Sequence, residues 1–82
     1  MSRHTKRIGT KTIAYGFDPI PGGGYFYQVF DEEKITEEND EGVVVNEGFA
    51  FGIDRDRMLA LMLEHGVSDE IHKEFVALDL PI

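Results

Sequence analysis

The sequence predicts an α+β fold: a three-stranded antiparallel β-meander followed by an α-helical hairpin packed on one face, in the order β-β-β-α-α. Three observations carry this expectation. Thr12–Phe17 and Tyr25–Phe30 alternate with period two and are rich in aromatic and β-branched residues. The loop between them, DPIPGGG, combines prolines that cannot donate ladder bonds with glycines that accept positive φ. After Asp54 the apolar spacing changes to that of helices. The 82 residues suffice for one domain, taken as 12–82, preceded by a basic flexible arm over 1–11.

In the first predicted strand Ile13, Tyr15 and Phe17 share a face. In the second, Tyr25, Tyr27 and Val29 lie on one face and Phe26, Gln28 and Phe30 on the other. Six of the nine aromatic residues fall in Thr12–Phe30, and the second strand carries rings on both sides. A helical layer covers only one side, so the other is either buried in another way or is an interaction surface. Asp31–Glu41 holds seven acids and one lysine and reads as an exposed loop. Val43–Val45 is the third strand, ending near Asn46–Gly48. Phe49–Ile53 fits a strand extension, a short fourth strand or a packed connection equally well.

Asp54 is placed to cap a helix running to His65, with Gly66 as its stop. Met58, Leu59, Leu61, Met62 and Leu63 make this helix apolar around most of its girth, which predicts deep burial. Ser68 is the candidate cap of a second helix. There Ile71, Phe75 and Leu78 recur at i, i+4 and i+7 and predict one buried stripe, with Asp69 and Lys73 paired on the wet side. Pro81 ends the helical potential.

The net charge is −8, divided unevenly: residues 1–11 carry +4 and the remainder −12. An acidic body repels phosphates and anionic lipid, so neither direct nucleic-acid binding nor a membrane role is expected. There is no cysteine, which removes disulfides, thiolate metal sites and cysteine nucleophiles. The polar N-terminus lacks the apolar core of a signal peptide, and no apolar run is of membrane-spanning length; cytoplasmic localisation is the expectation.

No motif specifies a catalytic site, a cofactor or a metal, and none is assigned. Gly22–Gly24 runs into a strand, whereas phosphate-binding loops run into a helix. Glu37, Asn39, Glu41 and Gly42 begin like a calcium loop, but the position of the closing bidentate acid falls on Gly48. His65 and His72 would need carboxylates to complete a zinc site, and Asp18 and Asp31 lie at opposite poles of the hairpin. A DNA-reading second helix would present Asp69, Glu70 and Glu74 to the groove, which opposes entry.

The expectation is therefore a small acidic non-catalytic module that binds a protein partner or itself. Its candidate surface is Tyr25, Phe26, Tyr27 and Phe30 together with Glu32, Glu33, Glu37 and Glu38. A small enzyme or enzyme subunit using histidine, carboxylate and tyrosine groups is one alternative. Loose divalent-cation binding by loop 31–41 is another.

Overall fold

The computed structural model describes residues 2–82; Met1, the first residue of the expected arm, lies outside the described residues. The chain runs β1 (His4–Ile8), β2 (Lys11–Phe17), β3 (Tyr25–Asp31), a short 3-10 turn at Glu32–Lys34, β4 (Val43–Glu47), α1 (Arg55–Glu64) and α2 (Glu70–Ala77). The strands form one antiparallel sheet in sequence order. The α+β class is as expected, but the sheet has four strands where three were predicted.

The additional strand lies inside the segment expected to be a flexible arm. Ile8 pairs with Lys11, so Gly9 and Thr10 form a two-residue hairpin turn, with Gly9 at φ +61°. The charge of this segment does not prevent pairing, because an edge strand keeps its cationic heads in water and lysine there discourages further strand addition.

The β2–β3 register places Ile13 opposite Val29, Tyr15 opposite Tyr27 and Phe17 opposite Tyr25. These residues form the face beneath the helices. Met58, Leu61 and Met62 of α1, with Val67 and Val76, complete the core. The Tyr25, Tyr27 and Val29 face is thus the one that meets the helices. On the opposite face Phe26 is also buried. It lies against Gly16 and Gly48, where a β-carbon would collide with its ring and its backbone respectively, and Phe49 packs over it with ring centroids 5.1 Å apart. Phe49–Ile53 is an irregular connection bridged to the sheet from Ile53 to Tyr25, and Phe51 within it is 78% exposed.

Asp54 caps α1 as expected, its Oδ1 accepting from the Arg57 amide at 2.8 Å, and Gly66 follows the helix at φ +71°. Leu63, however, is 70% exposed, so α1 buries one side and not its whole girth. The cap of α2 is Asp69 and not Ser68: the Asp69 Oδ1 accepts from the His72 amide at 3.1 Å. Asp69 also pairs with Lys6, while Lys73 pairs with Glu70 at 2.9 Å, which replaces the expected Asp69–Lys73 pair.

The largest departure is the roll of α2. Ile71, Phe75 and Leu78, predicted as a buried stripe, are 67%, 41% and 61% exposed, while Val76 is fully buried. The inner sheet face supplies the reason. It is lined with tyrosines, and a buried hydroxyl needs a hydrogen-bond partner. The Tyr15 hydroxyl lies 2.6 Å from His72 Nδ1, and the Tyr25 hydroxyl donates to the Leu80 carbonyl at 2.6 Å. An all-apolar helix face would leave the Tyr15 hydroxyl unpaired, as the buried Tyr27 hydroxyl of the same sheet face already is among the described residues, at a cost of about 1–3 kcal/mol. The side of α2 carrying His72 and Val76 satisfies the Tyr15 hydroxyl, and the chain just past the helix satisfies that of Tyr25.

Candidate functional site

Two features of α2 stand out, one on each side. The outer side carries Ile71 and Phe75, followed by the C-cap Leu78, at spacings of four and three residues that keep them near one face. Around them Glu70, Glu74 and Asp79 are exposed; Lys73 is engaged by Glu70, and Arg55 of α1 donates to the Ala77 carbonyl at 3.3 Å beside Leu78. An exposed apolar stripe on a helix is the kind of surface that interaction sites use.

The inner side holds a cluster of titratable groups against the β1 edge. His4 pairs across the sheet with Tyr15, and its ring lies 4.2 Å from that of His72. His72 Nδ1 is 2.6 Å from the Tyr15 hydroxyl and 3.2 Å from Asp69 Oδ2, which also takes the Lys6 ammonium at 3.0 Å. Burial, with a smaller contribution from Asp69, pushes the Tyr15 phenol up to about 12. The hydroxyl therefore keeps its proton at neutral pH, and its hydrogen bond with Nδ1 runs in the direction that the His72 tautomer sets. Burial holds His72 below the usual histidine range; the Asp69 carboxylate opposes this, and neighbouring His4 and Lys6 reinforce it. The amide of His72 and the Lys6 ammonium hold Asp69 below the usual carboxylate range.

A cavity of about 210 Å³ lies beside the cluster, lined by Lys6, Arg7, Ile8, Val67, Ser68 and Asp69. It reaches Asp69 but neither His72 nor Tyr15. Lys6 is bound to Asp69, and Arg7 to Glu32 at 2.7 Å and to the Gly9 carbonyl, so both cations at the wall are already engaged. A phenol that keeps its proton is not an activated nucleophile, and the imidazole beside it is held toward its neutral form.

The surface expected on the sheet is largely not available. Tyr25 and Tyr27 are in the core, Phe26 is buried beneath Phe49, and Phe30 is partly covered. Glu32, Glu33, Glu37 and Glu38 are exposed. Within their loop the Asn39 side chain clasps the backbone, accepting from the Val43 amide and donating to its carbonyl, each at 3.0 Å. Asp31 is similarly engaged by the Thr10 hydroxyl and the Glu33 amide. Among the described residues no group of three or more histidines and carboxylates is placed to hold a metal ion. His65 and His72, considered together from the sequence, engage different partners: His65 lies against the Leu61 carbonyl and the Tyr27 ring.

The sequence reading missed the inner cluster because it assigned His4 and Lys6 to a mobile arm. The available signal was the alternation of His4, Lys6 and Ile8 ahead of the Gly9–Thr10 turn. No described helix is long and apolar enough to cross a membrane. Compared with protein-family models, curated proteins and solved structures, the chain matches none.

Proposed function

We propose that this chain is an acidic docking domain that receives a cationic, amphipathic protein segment on the outer side of α2. The observation that carries the reading is the solvent-facing stripe of Ile71, Phe75 and Leu78 on a helix whose other side is fixed to the sheet. Amphipathic segments bind by placing their apolar side chains against such a surface. The acidic residues Glu70, Glu74 and Asp79 around the stripe favour a basic partner, and the net charge of −8 steers it. The same charge opposes association of two copies through this face. The exposed glutamates of loop 31–41 extend the acidic field; they do not constitute the contact.

The test is titration with a labelled synthetic Leu/Lys amphipathic peptide, followed by anisotropy. Binding is expected, weakening as salt is raised, and falling at least about tenfold in the Ile71→Ser, Leu78→Ser double variant. Equal binding by the folded double variant refutes the assignment of the face. No binding by the native chain refutes the partner chemistry. Sedimentation of the chain alone reports the competing occupant: a dimer dissolved by the same substitutions would make a second copy the partner.

A further inference from the structure

We propose that His4 and His72 form an acid-sensitive latch that holds α2 on the β1 edge at neutral pH and releases it on acidification. The geometry supplies three reasons. The two imidazoles lie with ring centroids 4.2 Å apart, so protonating both places two cations in contact. His4 Nε2 is buried and has no hydrogen-bond partner among the described residues. Nothing beside that nitrogen compensates the burial of its polar atom. Finally, His72 Nδ1 lies 2.6 Å from the Tyr15 hydroxyl, and protonating the ring makes both its nitrogens donors and so excludes the form in which Nδ1 accepts from that hydroxyl.

The other charged and titratable neighbours act in both directions. Lys6 on β1 adds positive charge. Asp69, at the head of α2, attracts a proton to His72 but is itself shared with Lys6. Lys73 and Glu70 neutralise each other on the first turn. Behind Tyr15 lies Tyr27, whose phenol is also pushed up, chiefly by burial. The balance at His72 lies toward the neutral form, with burial the largest cause. The sign follows: a histidine whose folded pKa is depressed contributes stability that is present above its unfolded value and lost as pH falls through the folded one.

The latch acts on α2 alone and needs no partner; only its consequence for docking rests on the reading above. Hydrogen exchange of the α2 amides at pH 7.5 and 5.5, corrected for intrinsic rates, tests it. Opening of residues 70–77 is expected to rise by up to about tenfold, because one histidine kept neutral changes an equilibrium tenfold per pH unit below its unfolded pKa. The increase should be absent in the His4→Phe, His72→Gln double variant, which preserves a flat ring and a polar partner for Tyr15 without a titrating group. Unchanged protection of native α2, or equal acid sensitivity in the variant, overturns the latch. Should the variant not fold, NMR titration of the native imidazoles decides: His72 titrating at or above the free-histidine value overturns it, and titration below supports it. Peptide binding at pH 7.5 is unaffected by failure of the latch, so the two proposals fail separately.

Discussion

The roll of α2 can be measured with alanine substitutions on its two sides. Ile71 is 67% exposed, so about a third of its side chain is removed from water. A fully buried isoleucine contributes about 1.5–3 kcal/mol, and the buried third therefore less than about 1 kcal/mol. Alanine recovers a few tenths of a kcal/mol through its higher helix propensity, leaving Ile71→Ala within about 0.5 kcal/mol of the native chain. Val76 is fully buried between the helix and the sheet, and Val76→Ala removes two methyl groups from a packed site. It is expected to cost about 1.5–3 kcal/mol, even after the same gain in propensity. Urea unfolding monitored by circular dichroism resolves the difference as a shift in midpoint at constant slope. If α2 were turned as its apolar spacing predicts, the order would invert. A loss of about 2 kcal/mol or more for Ile71→Ala, with Val76→Ala near zero, would refute the roll and the docking surface derived from it.

Three further outcomes follow from the packing and titration of the core. Gly48→Ala should destabilise by about 1–3 kcal/mol, because Gly48 sits at φ +93° and a β-carbon there meets the Tyr25 carbonyl and Phe26 Cα; chemical denaturation reads it. Tyr15→Phe should cost about 1–2 kcal/mol by removing the hydroxyl hydrogen-bonded to His72 Nδ1, and the loss should be much smaller in a chain already carrying His72→Phe, which a double-mutant cycle measures. Tyr15, Tyr25 and Tyr27 are all raised above the ordinary phenol value, chiefly by burial, so their stabilisation is complete below about pH 10 and lost as pH rises through the folded values. Absorbance at about 295 nm should therefore show tyrosinate forming together with loss of the fold above pH 10, and independent titration of a still-folded chain would contradict this.

Period-two alternation was sufficient to place Lys11–Phe17 and Tyr25–Asp31 within one or two residues of their ends, because a half-buried hairpin enforces its pattern on every residue. Asp54 and Gly66 located α1 because caps act locally. The strand at His4–Ile8 was not legible from charge, since charge describes what a side chain avoids and an edge strand asks little of it. His4 and His72, the core of the inner cluster, are separated by nearly the whole chain, and only the β1–β2 pairing and the packing of α2 bring them together.

The misreading of α2 has a more general cause. Helical periodicity identifies the apolar side of a helix but does not say that this side faces the core. The inward side is decided by what the opposing surface needs. Here that surface presents the hydroxyls of Tyr15, Tyr25 and Tyr27; the first two take partners from the C-terminal segment, His72 within α2 and the Leu80 carbonyl beyond it, and the third is left without one among the described residues. Asp69 then fixes the helix start to Lys6 on the neighbouring strand. Once these polar contacts set the roll, Val76 is the only residue of α2 left fully buried, and the apolar stripe is turned to solvent as a consequence. The latch and the docking face are thus two sides of one arrangement. A substitution that frees Tyr15 from His72 should alter the presentation of Ile71, Phe75 and Leu78 without touching any of them, so Tyr15→Phe should weaken peptide binding while retaining the fold. Unaltered affinity in that variant would show that the roll is set by Val76 and the core, and that the polar contacts merely follow it.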